Sequence, residues 1–217
     1  VRLSAGRSGG WLDGLFASHP PSQERVENNR AFAAELGPGG ELGRERYEAA
    51  LADLRRREPA YAALSEGREA LAQGDHQSAL RAARRALEIE PREARFHALE
   101  ADALAAAEQR ESALAAYDRA IELEPGYFAH YQARGFANLS LDRLEAAQRD
   151  FERANGLLPT AENANALGRL ALADGRSGEA RQWFAEAAGS NSRAGSAART
   201  ALARLDLGER PGAVIES

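Results

Sequence analysis

The chain of 217 residues has no cysteine and no lysine. Without cysteine, disulfides, thiol catalysis and thiolate metal sites are excluded together, while the compartment stays open because reducing and oxidising environments both tolerate such chains. The missing lysine leaves arginine to supply every full positive charge, which fits a coding bias of the source better than a functional choice. An excess of positive charge is lacking too. The 28 arginines face 33 acidic residues, for a net charge of −5 and a pI near 5.5, which argues against nucleic acid as a partner. No apolar run approaches the roughly 20 residues of a membrane span. Neither an initiator methionine nor a signal-peptide pattern stands at Val1, so the chain is expected to be part of a longer protein.

What is present is periodic. Hydrophobic content is 44 %, dominated by alanine. The phrases RALEIEP, RAIELEP and RANGLLP end at Pro91, Pro125 and Pro159, and the intervals are 125 − 91 = 34 and 159 − 125 = 34. Small residues recur where two helices of a pair would meet: Gly67 with Ala79, Ala101 with Ala113, Gly135 with Ala147. Ala86, Ala120 and Ala154 leave room for the following repeat. Tyr117, Phe151 and Tyr131 supply bulk, and each proline stops a second helix because it lacks the N–H and crowds the preceding turn.

A 34-residue helical period of this kind resembles the tetratricopeptide repeat, or TPR. The fold class expected is all-α: a right-handed solenoid of about four helix-pair repeats, at 60–93, 94–127, 128–161 and 161–194. The last is one residue out of step at Leu167-Gly168, holds Ala180, Phe184 and Ala187, and closes on Gly189, Ser190, Asn191 and Ser192 without a proline. A helix over 196–207, apolar at Ala197, Ala201, Leu202 and Leu205, is expected to cover the end. Upstream, helices are expected at 22–36 and 41–57. The second carries Tyr47, Leu51 and Leu54, ends before Pro59 and packs on the first repeat as an N-terminal cap. The domain reading is residues 1–42 as a separate segment with linker, 43–208 as the array, and 209–217 as a tail.

LFASHPPSQERV (15–26) resembles the segment that closes the catalytic domain of H-E-x-x-H zinc metallopeptidases related to HtpX and BepA. In the periplasmic branch of that family a TPR array follows the catalytic domain. The resemblance implies that 1–42 is the end of a peptidase domain and that the repeats recruit clients or partners for outer-membrane protein assembly or quality control. It implies a periplasmic location, zinc in the full-length parent, and His19 and Arg25 facing its cleft. The chain itself has no H-E-x-x-H, so two zinc ligands and the general base are missing and no hydrolysis is expected of it. No catalytic residue, metal ligand or cofactor is assigned within these residues. His76, His97 and His130 share no helical i, i+4 pair. The alternative is a free-standing, cytoplasmic TPR scaffold. Trp11, Leu12, Leu15 and Phe16 are expected to lie against a repeat groove or a neighbouring molecule, which would make the arm a route to a homo-oligomer.

The expected partner is protein: an extended or helical segment held on the inner face lined by first helices. Projection of the repeat places Tyr61, Leu64, Arg68 and Leu71 there, then Arg95, Ala98 and Asp102, then Gln132, Phe136 and Leu139, and finally Asn165, Arg169 and Leu172. Phe136 is notable because an aromatic is not needed there for packing within the pair. Arrays that clamp a C-terminal carboxylate resemble one another in carrying Lys and Asn at set first-helix positions. Leu64, Arg68, Ala98 and Asp102 stand there instead, so acidic chaperone tails are disfavoured.

Overall fold

The computed structural model describes residues 23–35 and 43–208. His19, the arm at Trp11 to Phe16 and the tail 209–217 lie outside the described residues, as does the side chain of Arg25. The chain divides into two compact units, Val1–Ala52 and Asp53–Ser217. In the first unit, α1 (Gln23–Glu35) exposes Val26 and Phe32, and α2 (Arg44–Ala72) begins after Gly43 with Tyr47 exposed. The boundary between units falls inside α2.

The second unit is built from helix pairs. The end of α2 pairs with α3 (His76–Ile89), α4 (Ala94–Ala106) with α5 (Arg110–Leu123), α6 (Phe128–Ser140) with α7 (Leu144–Leu157), and α8 (Ala161–Ala173) with α9 (Ser177–Ala188); α10 (Arg193–Asp206) follows. No strand occurs among the described residues. The first helices α4, α6 and α8 start 34 and then 33 residues apart (128 − 94, 161 − 128). Helices α3, α5 and α7 end two residues before Pro91, Pro125 and Pro159. The second helices bury one stripe at i, i+3, i+4 and i+7: Ala79, Ala82, Ala83 and Ala86 in α3, Ala113, Ala116, Tyr117 and Ala120 in α5, and Ala147, Asp150, Phe151 and Ala154 in α7. Local chemistry fixes the starts: Asp75 accepts from the Ser78 N–H at 2.9 Å, Thr160 from Asn163 at 3.2 Å and Ser192 from Gly195 at 3.2 Å. Within each pair the turn reverses through one left-handed residue, at Gly74, Glu108, Asp142 and Gly175.

The core is distributed rather than central. One cluster joins α2, α3 and α4 around Phe96 and Leu99, the next joins α4, α5 and α6 around Leu104 and Tyr117, then Phe151 and Leu167 join α7 and α8, and Phe184 and Leu172 join α8, α9 and α10. Two glycines show how close the helices approach. A Cβ on Gly168 would lie 2.7 Å from the Phe184 ring, and one on Gly67 2.5 Å from Leu99 Cδ2. Gly156, also helical, has nothing within 4 Å of that position. Gly168→Ala is therefore expected to destabilise the array by about 1–3 kcal/mol. Gly156→Ala should instead stabilise it by about 0.5 kcal/mol through backbone entropy alone. Urea midpoints that moved the same way for both would contradict the close approach.

Three expectations at the ends are corrected. The helix expected to stop before Pro59 runs through it as α2. An interior proline forfeits one N–H bond and crowds the preceding turn, but Arg56 and Arg57 hold that turn to Glu90 at 2.8 and 3.4 Å while Ala60, Ala63 and Leu64 are buried just beyond. Of the apolar side chains expected to cap the first repeat, Tyr47 and Leu54 are exposed. At the other end, α10 starts three residues earlier than expected, and Ala197 points to solvent because the buried stripe is Gly195, Ala198, Ala201 and Leu205.

Candidate functional site

On the helical repeat, positions i, i+3 or i+4 and i+7 share a face, so Arg95, Ala98 and Asp102 of α4, Gln132 and Phe136 of α6, and Glu162, Asn165 and Arg169 of α8 form rows on successive first helices. The structure gathers these rows into two cavities.

The first, of about 290 Å³, is polar. Arg68 of α2, Arg95 and Asp102 of α4, Tyr117 of α5, and His130 and Gln132 of α6 line it. The Tyr117 hydroxyl donates to Asp102 Oδ1 at 2.6 Å. Solvent reaches Asp102, yet the enclosing protein raises its carboxyl pKa above the usual range, outweighing the Tyr117 hydrogen bond and the Arg68 charge that lower it. Burial and then the Asp102 charge push the Tyr117 hydroxyl up. Burial likewise lowers the pKa of His130, although Glu124 Oε2 lies 3.4 Å from its Nε2. Nε2 makes no hydrogen bond, and Tyr127 packs edge-on to the ring at 4.8 Å. Arg95 is committed to Glu93 at 2.9 Å, and Gln132 donates to Asn163 at 2.9 Å.

The second cavity, of about 410 Å³, is apolar on one side. Phe136 and Leu139 of α6, Leu144 of α7 and Leu170 of α8 form that wall; Glu162, Asn165 and Arg169 of α8 form a polar rail, and Ala194 of α10 closes one end. Phe136 is 48 % exposed and Leu144 40 %. The Phe136 ring meets Phe151 edge-on at 4.9 Å, so it rests on its own repeat's second helix and leaves half its surface in the cavity. One helix, α6, serves both cavities, with Gln132 and Phe136 one turn apart.

Of the projected residues, Arg68, Arg95, Ala98, Asp102 and Gln132 meet in the polar cavity, and Phe136, Leu139, Asn165 and Arg169 in the apolar one. The other four do not line either. Leu64 is buried against Phe96 and Leu99, and Leu172 is 0 % exposed beneath α9 and α10, so neither can touch a ligand. Leu71 packs on the first core cluster, and Tyr61 donates to Glu93 at 2.8 Å with its ring edge-on to Phe96. Among the lining residues that the projection omitted are Tyr117, Tyr127, His130, Leu144, Glu162, Leu170 and Ala194. Glu162 follows the projection's own spacing, three residues before Asn165 on the same face. Leu144 begins a second helix and Ala194 belongs to α10, positions that a first-helix rule does not reach.

The fold is that of TPR domains, and no helix among the described residues is long and apolar enough to cross a membrane. No protein-family model and no curated protein matches the sequence. Solved structures do. The first TPR of Spaghetti (RPAP3) bound to an HSP90 peptide is 24 % identical, with a TM-score of 0.52 over 54 % of this chain and 94 % of that one. MamA from Desulfovibrio magneticus RS-1 is 16 % identical, with a TM-score of 0.60 over 73 % of this chain and 90 % of that one. The Arabidopsis OM64 TPR domain is 22 % identical, with a TM-score of 0.51 over 53 % and 96 %. At these identities the likeness is one of fold.

Proposed function

We propose that the repeat unit is a protein-interaction module that holds a polypeptide segment of its partner along α4, α6 and α8. The observation that carries this reading is Phe136, a large aromatic half exposed in a cavity that Leu139, Leu144 and Leu170 also line. A monomer gains nothing from leaving such surface in water. The RPAP3 domain, which shares the fold, is bound to a peptide. Binding from this face is the reading's content, and it needs no catalytic group.

The finer reading is that this module serves a periplasmic zinc metallopeptidase, bringing clients or outer-membrane assembly components to an attached catalytic site and raising their effective concentration there. Its support is the resemblance of residues 15–26, and the coding sequence upstream of Val1 tests it: H-E-x-x-H with a later glutamate supports it, and their absence leaves the free-standing scaffold. Zinc, the role of His19 and Arg25, assembly through the N-terminal arm and the periplasmic location stand or fall with that result.

Binding itself is tested by panning a displayed peptide library on the full chain and measuring the selected peptides by calorimetry. Phe136→Ala is expected to weaken them at least tenfold, the loss typical of a buried aromatic anchor. Selected peptides indifferent to Phe136 would place the interaction elsewhere.

A further inference from the structure

The polar cavity has a chemistry that narrows what it holds, on the footing that the repeat unit binds polypeptide as argued above. At about 290 Å³ it is smaller than one turn of helix, about 10 Å wide and 5.4 Å long, so a single side chain enters it rather than a whole element. Three charged groups line it: Arg68, Arg95 and Asp102. Glu93 offsets Arg95 at 2.9 Å, and burial disfavours the charged form of His130. Glu124, 3.4 Å from His130 Nε2, is half exposed to water, which screens it. What remains is one carboxyl group facing one guanidinium.

The hydrogen bonding of that pair is incomplete. Asp102 Oδ1 accepts from Tyr117 at 2.6 Å, whereas Oδ2 accepts from no group among the described residues. The Arg68 charge acts on Asp102, yet the two make no ion pair within 4 Å, and the guanidinium donates to no other described residue. Burial is the largest influence on Asp102 and raises its pKa, which marks a carboxylate short of donors. A ligand charge of either sign fits badly, because a cation meets Arg68 and an anion meets Asp102. An apolar side chain takes water from both groups and returns no hydrogen bond. A primary carboxamide answers both, since its acceptor and its donor are separate atoms that can bridge two charges not in contact.

We infer that the cavity formed by α2, α4, α5 and α6 takes the side chain of a glutamine or asparagine of the partner polypeptide, whose amide oxygen accepts from Arg68 and whose amide nitrogen donates to Asp102 Oδ2. Tyr117 is the positioning residue: its hydroxyl holds the other carboxylate oxygen.

The experiment pans a displayed peptide library on the full chain. Selected peptides are labelled with fluorescein and titrated by anisotropy against the full chain, Asp102→Asn and Arg68→Glu, with circular dichroism as the folding control. Each peptide is used as selected, and with its carboxamide residue replaced by Glu or by Lys. Both substituted residues of the protein are solvent-exposed, and asparagine keeps an oxygen for Tyr117, so the folded array should survive. On the unchanged chain either replacement is expected to weaken binding at least tenfold, the loss of a hydrogen bond to a charged group. Asp102→Asn turns an amide N–H into the cavity beside Arg68, so the Glu peptide should overtake the selected one. Arg68→Glu leaves two carboxyl groups, so the Lys peptide should overtake it there.

Selected peptides that share no Gln or Asn overturn the inference, and so does a ranking that stays the same in all three proteins. If the peptides depend on Phe136 but not on a carboxamide, the carboxamide site is wrong and the interaction module stands. If no peptide is selected, both are wrong. Binding that follows the carboxamide ranking and is indifferent to Phe136 supports the inference and overturns the anchoring role of Phe136 alone.

Discussion

Phe184→Ala is expected to unfold the C-terminal part of the array ahead of the rest. The ring is fully buried, roofs Gly168 and touches the cluster shared by α8, α9 and α10. Truncating a buried phenylalanine costs about 3–5 kcal/mol, because transfer free energy is lost and a cavity remains. In an array stacked in one dimension that cost falls on the local repeat and its neighbours rather than on one shared centre. Trp183 sits beside the site and reports on it. In a Trp11→Phe background, its fluorescence transition in urea should come well below the circular-dichroism transition of the remaining helices. A single coincident transition near the unsubstituted midpoint would show that the repeats share one cooperative core.

Asp150→Ala should be nearly as damaging, for a different reason. Asp150 is 4 % exposed and accepts from Arg134 Nε at 3.0 Å and from the buried Asn138 Nδ2 at 2.9 Å, while Arg134 also reaches Asp118 at 2.6 Å. Removing the acceptor leaves the guanidinium with Asp118 alone and strands the buried Asn138 amide, a loss of about 3 kcal/mol. Replacing the group as a set, with Arg134→Met, Asn138→Leu and Asp150→Leu, should restore most of that loss, since the buried polar atoms go together and Asp118, which loses its pair, is exposed. If the triple variant is as unstable as the single one, the network contributes more than its own satisfaction. The thermal midpoints of both proteins decide this.

The distance from Pro91 to Pro159 made the helix pairs legible, because proline, alanine and aromatic positions each obey backbone sterics that hold before any tertiary contact forms. The ends were less legible. Pro59 reads locally as a stop, but the chain on both sides of it keeps helical geometry, and ion pairs to Glu90 together with burial from Ala60 onward outweigh one missing N–H. Tyr47 and Leu54 show helical spacing without being covered, since periodicity reports a face and not what lies against it.

The candidate site divides in the same way. Sequence alone determined the step of the repeat, the stops before Pro91, Pro125 and Pro159, and the set of first-helix positions that share a face, because 3.6 residues per turn and proline sterics are properties of the backbone. Tertiary structure decided which of those positions are open. Leu139 and Leu172 are one repeat apart (172 − 139 = 33) and are the same residue type, yet Leu139 lines the apolar cavity while Leu172 is fully buried. The difference is α10, whose Ala198, Ala201 and Leu205 complete the cluster around Leu172. Whether a side chain meets solvent depends on which helix stacks next, and that is a property of the assembled array rather than of its repeating unit.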